Sequence, residues 1–190
     1  MKVILASASP RRQELLKRIY EDFIVYPADI DETIPDEIGP EFAPVFLAAQ
    51  KADAVAERFP KDLIISADTI VLLDGEVLGK PKDEDDAFFT LKKLSGKTHK
   101  VITGCCISIG SEATCFAEES LVTFFPLTDS EIIQYVKSGE AMGKAGSYGI
   151  QDTGALFVEK IDGDFYNIVG LPIAKLKREI DALIKTCSQD

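Results

Sequence analysis

The sequence predicts an α/β fold with a mixed sheet, and three observations carry that reading. Short apolar runs at residues 3–6 and 63–65 have the length and composition of central strands. Asp74-Gly75 and Gly110-Ser111 each sit between β-prone runs, the pattern of antiparallel hairpins. Helical segments fill the intervals, so hairpins and crossovers are intermixed and a purely parallel sheet is excluded.

The first strand ends in small residues, and Ser9-Pro10 then starts a helix with Arg11 and Arg12 in its first turn. Serine suits the N-cap, and proline suits the first helical position, where its missing N–H costs nothing. Residues 23–26 read as a second strand, followed at 27–39 by an acidic loop holding Asp29, Asp31, Glu32, Asp36 and Glu37. Structureless loops of that length are usually functional or mobile. From about residue 40 or 44 to residue 58, Phe46, Leu47 and Val55 with interspersed alanines mark a helix whose first turn must hold Pro44. The run at 63–65 continues through Ser66-Ala67-Asp68-Thr69 into residues 70–73, and Asp74-Gly75 turns it into residues 76–78. Gly79-Lys80-Pro81 breaks the chain before an amphipathic helix at 83–94, acidic in its first turn. Residues 100–109 and 113–125 form the long ribbon, and Thr128 to Glu131 is an N-terminal signal for a helix at 131–137. Residues 139–149 are glycine-rich and irregular, and 155–160 with 165–169 read as a further hairpin around Asp162-Gly163. Leu171-Pro172 starts a last helix running to about residue 185.

A chain of 190 residues can bury a real core as one large domain or two small lobes. Its 21 basic and 32 acidic residues give a net charge of −11, which argues against a nucleic-acid or anionic-membrane surface. An anionic ligand therefore needs a local basic cluster. No apolar run reaches the length of a bilayer span and no signal-peptide pattern is present, so a cytoplasmic location is expected. Cys105, Cys106, Cys115 and Cys187 lack C-x-x-C spacing, and the single histidine, His99, has no partner motif. Neither a zinc site nor a Ser-His-Asp triad is expected. Adjacent Cys105 and Cys106 read as small apolar strand residues, and buried thiols fit a reducing compartment.

Five features bear chemistry. The elbow from Ser7 to Arg12 suits an oxyanion such as phosphate, or is a capped surface helix with solvated arginines. Asp68 is a lone carboxylate amid Ile64, Ile65, Ala67, Ile70 and Val71, so it must find a partner, ligate a metal or resist ionisation, unless it marks a turn between two apolar runs. Lys80 follows a glycine and precedes a proline on a rigid loop, whereas Lys51, flanked by alanines, is either a solvated helical lysine or one open to a ligand. The loop 143–152 has neither phosphate-loop nor dinucleotide-fingerprint spacing, which leaves it as a lid, a base-reading loop or a plain connection.

Blocks spread along the chain in order resemble the Maf family. They are residues 5–16 (LASASPRRQELL), Asp31-Glu32, Lys51-Ala52, residues 66–69 (SADT), Gly79-Lys80-Pro81, residues 94–99 (LSGKTH), residues 144–151 (KAGSYGIQ) and Gly170-Leu171-Pro172. The resemblance implies one domain over 1–190, with a twisted mixed sheet, two lobes with the active-site cleft between them, and kinship to the inosine triphosphatase fold. It implies a house-cleaning nucleoside triphosphate pyrophosphatase that cleaves between the α- and β-phosphates with a divalent cation, Mg²⁺ or Mn²⁺. The KAGSYGIQ loop looks like the branch acting on dTTP and UTP, with CTP and modified pyrimidine nucleotides not excluded.

By the same resemblance, Asp68 is the proton acceptor, and Glu32 with Asp68 holds the metal. Ser7, Arg11, Arg12, Lys51 and Lys80 bind substrate, and Arg11, Thr69 and Gln151 set specificity. The Gln151 amide can accept from N3–H and donate to O4 of uracil or thymine, although a flipped amide would meet cytosine as well. Gly143 stands where relatives often have Asp, and Asp152 where they often have Gly. A homodimer is compatible with the resemblance, and no nucleic-acid or membrane partner is expected. The alternative to an enzyme is a nucleotide-binding regulator of septum formation without turnover.

Overall fold

The computed structural model describes residues 1–188. The elements are β1 (Val3–Leu5), α1 (Pro10–Leu16), β2 (Ile24–Val25), α2 (Ala43–Ala56), β3 (Leu63–Leu73), β4 (Glu76–Leu78) and α3 (Glu84–Leu94). They continue with β5 (Thr98–Ile109), β6 (Glu112–Phe124), α4 (Asp129–Lys137), β7 (Val158–Asp162), α5 (Phe165–Val169) and α6 (Ile173–Cys187). The strands form a seven-stranded sheet in the order β2-β1-β3-β5-β6-β7, with β4 beside β3. It is a mixed sheet: β1 runs parallel to β2 and β3, whereas β4 and β7 pair antiparallel.

The chain divides into two compact units, the first comprising residues 1–68, 103–118 and 170–190 and the second 69–102 and 119–169. In the first unit β1 lies against the start of β3, with Val3 opposite Leu63 and Leu5 opposite Ile65. Both strands are buried on both faces, with Ile4, Leu5, Leu63, Ile64 and Ile65 at most 1% exposed. Each such side chain contributes roughly 1.5–3 kcal/mol when taken from water, which fixes this strand pair as the unit's centre. Ile4, Ala6 and Ile64 pack with Ala48, Ala52 and Val55 of α2, so the alanines of that helix are its seat on the sheet.

Gly104 of β5 makes a second seat for α2. A Cβ built there would overlap the backbone of Pro44 and Val45 in the first helical turn. Pro44 occupies that first turn, where it breaks no helical hydrogen bond.

In the second unit the Asp74-Gly75 turn joins β3 to β4, both residues having positive φ (52° and 86°), as a two-residue hairpin requires. Asp83 caps α3 by accepting from Asp86 N at 2.8 Å, with acidic residues in the first turn and Lys92 and Lys93 in the last. Thr128 and Glu131 form a reciprocal capping box on α4.

Two sequence expectations fail. The segment at 165–169 is the helix α5, not the second arm of a hairpin, and β7 pairs with β6 instead. Its aromatic and β-branched residues suggest a strand, but polar contacts decide against it. Asp164 Oδ1 accepts from Tyr166 N at 2.8 Å, while fully buried Asn167 donates to Val101 O at 3.0 Å and Ser120 Oγ at 2.8 Å. In the helix that buried amide is paired, and leaving it unpaired would cost about 1–3 kcal/mol.

The second failure concerns cysteine. Cys105 is a buried free thiol as expected, but Cys106 is disulfide-bonded to Cys115 on the neighbouring strand, with Cα atoms 4.1 Å apart. Strand adjacency, which spacing does not reveal, brings the two together.

Gly104→Ala therefore forces α2 off its seat. Urea unfolding should show a loss of about 1–3 kcal/mol, the usual cost of overpacking.

Candidate functional site

Six of the nine residues singled out in the sequence lie in the first unit, and the structure gathers them. The Ser7–Arg12 elbow directly follows β1, and Ser66 to Asp68 follow the buried start of β3 that β1 pairs with. Ala6 N donates to Ile65 O at 2.8 Å, so the elbow leaves the sheet beside the stretch of β3 that carries Ser66 to Asp68. The carboxyl end of a parallel strand such as β1 is the usual place for ligand contacts in α/β sheets.

Within the elbow, Ser9 caps α1 by accepting from Arg12 N, and Pro10 fills the first helical position. Ser7 Oγ accepts from Ser9 N at 3.3 Å and from Arg12 Nη1 at 3.1 Å. Arg12 Nε donates to the Gly170 carbonyl at 2.9 Å, so the guanidinium is aimed from both ends. Burial lowers the Arg12 pKa and adjacent Arg11 lowers it further, while Asp68, Cys105 and Glu32 oppose the shift. Cys105 is neutral there, its thiol pushed up to about 12 by burial.

Lys51 is the centre of the cluster. Its Nζ sits 2.7 Å from Glu32 Oε1 and 2.8 Å from Asp68 Oδ1. The side chains of Lys51 and Asp68 are 11% and 17% exposed, against 55% for Glu32. The lysine is thus not the solvated helical residue that its alanine neighbours allow. Its stem is buried, and the head reaches two carboxylates. Asp68 resolves its own predicament by finding a partner.

Two local devices aim these carboxylates. Asp31 Oδ1 accepts from Thr33 N at 3.0 Å and Thr33 Oγ1 at 2.6 Å, a turn that brackets Glu32 and lowers the Asp31 pKa. Ser66 Oγ donates towards Ala48 O at 2.5 Å and Cys106 O at 3.2 Å, tying β3 to α2 and β5 just upstream of Asp68 on the strand and of Lys51 on the helix.

Glu32 and Asp68 converge on one point, a geometry that also suits a divalent cation. Among the described residues no three His, Cys, Asp or Glu side chains gather to hold a metal. Two carboxylates suffice for Mg²⁺, which usually completes its shell with water and substrate phosphate. The donor set therefore fits a divalent cation that takes its remaining ligands from outside the chain.

The other three residues lie in the second unit. Thr69 is half-buried, and Lys80 and Gln151 are exposed. Gly146 N donates to Gly79 O at 3.1 Å, and Gly146, at φ +68°, leaves no room for a side chain, since a Cβ would lie 2.8 Å from Val71 Cγ2. Lys80 and the 143–152 loop are thereby parts of one substructure.

The chain matches the model of the Maf-like protein family over residues 2–183. The chain belongs to the Maf family. Among curated Maf relatives, a protein of Carboxydothermus hydrogenoformans named dTTP/UTP pyrophosphatase is 48% identical over 182 residues, spanning 95% of this chain and 97% of its own. Proteins of the same name from Bacillus pumilus (47% identity, 95% of each chain) and Pyrococcus furiosus (48%, 95% of this chain and 94% of its own) are similarly close. Among solved structures, the Staphylococcus aureus Ham1 protein has a TM-score of 0.49 at 18% identity, over 65% of this chain and 72% of its own.

Sequence reasoning missed three residues of this Maf chain that shape the two groups. Gly170 and Ser66 act through a backbone carbonyl and a buried hydroxyl, and neither carries a charge to draw notice. His99 does have a partner: its Nε2 lies 2.8 Å from Tyr148 Oη, inside the KAGSYGIQ loop. Both rings are buried against Phe124, and burial drives the His99 pKa down to about 4.

A histidine held neutral in the fold gives stability above its ordinary pKa of 6.5 and surrenders it as pH falls towards 4. The full span amounts to about 3 kcal/mol. Urea unfolding at pH 7 and pH 4.5 should show a smaller loss for His99→Gln than for the unaltered chain. Equal losses would remove His99 from the acid response.

Proposed function

We propose that this chain is a nucleoside triphosphate pyrophosphatase that hydrolyses dTTP and UTP to the nucleoside monophosphate and pyrophosphate. The observation that carries the reading is the three-way contact of Lys51 with Asp68 and Glu32 beside the braced Arg12 guanidinium. The name shared by relatives about 48% identical over nearly the whole chain supports the substrate assignment. In this reading Arg11, Arg12, Lys51, Lys80 and Ser7 contact the triphosphate, and Thr69, Gln151 and Arg11 select the nucleotide.

Phosphoryl-group cleavage is chiefly a matter of positioning and charge stabilisation. Arg12, fixed by Ser7 and Gly170, presents donors to phosphate oxygens without further ordering. Asp68 accepts a proton from the water that attacks phosphorus. The P–O bond to the leaving pyrophosphate then breaks, and the lysine and arginine charges stabilise the oxygens that take up the electrons. Glu32 and Asp68 would hold a divalent cation, Mg²⁺ or Mn²⁺, which when bound neutralises phosphate charge and polarises the reacting phosphoryl group. A nucleotide-binding regulator of septum formation without turnover is not favoured, because the acid–base and phosphate-binding residue types are all present.

Asp68→Asn should lower kcat on UTP by about 10²–10⁴-fold, the range for losing a general base, with far-UV circular dichroism unchanged. Turnover within a few-fold of the unaltered enzyme would remove Asp68 from the chemistry. In a panel of triphosphates assayed for pyrophosphate release with magnesium or manganese, dTTP and UTP should lead. A marked preference for a purine would refute the substrate assignment, and tight nucleotide binding without product would favour the regulator.

A further inference from the structure

Gln151 is exposed, yet the turn that carries it is fixed on both shoulders. Asp152 N donates to Gly149 O at 3.3 Å and closes the turn around Ile150 and Gln151. Upstream, Gly149 N donates to Tyr135 Oη at 3.0 Å in a buried setting. The Tyr135 ring, delivered by α4, packs edge-on to Phe157 with centroids 5.0 Å apart. Downstream, Asp152 Oδ2 lies 3.3 Å from Lys144 Nζ, whose side chain is only 12% exposed. Lys144 also donates to the Glu140 carbonyl, and the Glu140 carboxylate accepts from Thr153 N at 3.0 Å and Thr153 Oγ1 at 2.7 Å. Ile150, immediately before Gln151, is 7% exposed. One amide thus faces solvent from a stretch whose neighbours are all buried or bonded.

Fixing a loop costs roughly 1–2 kcal/mol of backbone entropy per residue. A loop braced in advance meets that cost on folding rather than on binding, which is the basis of affinity by preorganisation. Preorganisation has a sharper use here. A glutamine amide can present its oxygen and nitrogen either way round, so residue type does not separate uracil from cytosine. What the amide can read is the position of a pyrimidine edge as against that of a larger purine, and the distance and angle at which the base meets it are set by the backbone beneath it.

We propose that Tyr135 and Asp152 are positioning residues that hold the Gln151 turn in the geometry from which it reads the base of a pyrimidine nucleoside triphosphate. The inference rests on the reading of Gln151 given above. Tyr135 braces the turn through its hydroxyl, which accepts the Gly149 N–H. Asp152 braces it through Lys144. Neither is among the residues assigned to the phosphates, so both act through base recognition.

Tyr135→Phe keeps the ring and removes the hydroxyl. In steady-state assays its KM for UTP and dTTP should rise about tenfold, the scale of one lost hydrogen bond, with kcat within about twofold. The preference for UTP over GTP should shrink, while competitive inhibition by inorganic tripolyphosphate, which has no base, stays unchanged. Asp152→Asn should act in the same direction and Asp152→Glu should recover most of the loss. A uniform loss across UTP, GTP and tripolyphosphate, or a lowered melting temperature with unaltered selectivity, would overturn the proposal and leave Tyr135 a packing residue. Gln151→Ala separates the two levels. If it leaves the UTP:GTP ratio untouched, the reading of Gln151 fails. If it changes the ratio while Tyr135→Phe and Asp152→Asn do not, only the positioning inference fails.

Discussion

The contact on which the first unit's chemistry depends is the one between Lys51 and Asp68. Both side chains are largely removed from water, 11% and 17% exposed, and each is the other's charge compensation. Such pairs are poor stabilisers, because desolvating two ions offsets most of their attraction. Removing one partner is far more costly than never having had the pair, since a lone charge is left behind. An apolar pair would serve the core between α2 and β3 at least as well. Retaining the pair makes physical sense where a carboxylate and an ammonium are needed at the surface of a ligand site.

Glu32 stands in a different relation to the same lysine. More than half exposed, it contributes little by its ion pair, because water competes for both partners. In the proposed function Glu32 is the carboxylate that would exchange Lys51 for a cation at low cost, while Asp68, less exposed and within β3, would keep its place. The division between a fixed and an exchangeable carboxylate follows from burial alone. The second unit applies the opposite strategy to its loop, where buried phenols and ion pairs immobilise the backbone and leave one neutral amide outside.

How far this could be read from the chain depends on the range of the forces involved. The elbow was legible because its determinants are local: Ser9 as cap and Pro10 at the first turn both act within one helical turn. Asp68 was legible because a carboxylate among Ile64, Ile65, Ile70 and Val71 contradicts its surroundings. Lys51 was not, since its alanine neighbours fit a solvated lysine as well as a buried stem, and Glu32 and Asp68 lie 19 and 17 residues away from it. The same reason hid the His99–Tyr148 pair, 49 residues apart, and the Cys106–Cys115 bond across two strands. At α5 the local pattern was misleading. Aromatic and β-branched residues favour a strand there, and the buried amide of Asn167 overrules them through contacts to Val101 and Ser120.

Charge explains why the proposed cation belongs with the nucleotide. The chain carries −11 overall, so an incoming triphosphate meets an unfavourable field at long range. Near the first-unit cluster, Arg11, Arg12 and Lys51 face Glu32 and Asp68, three cations against two anions, a surplus of one. A triphosphate carries several negative charges, and a surplus of one does not offset them in a half-buried setting where screening is weak. A resident cation in the resting protein would have to displace Lys51 from both carboxylates, leaving a buried ammonium unpaired. A cation carried by the nucleotide would avoid that, because Glu32 and Asp68 would hold it while phosphate oxygens took their place at Lys51, and the buried ammonium would keep a partner.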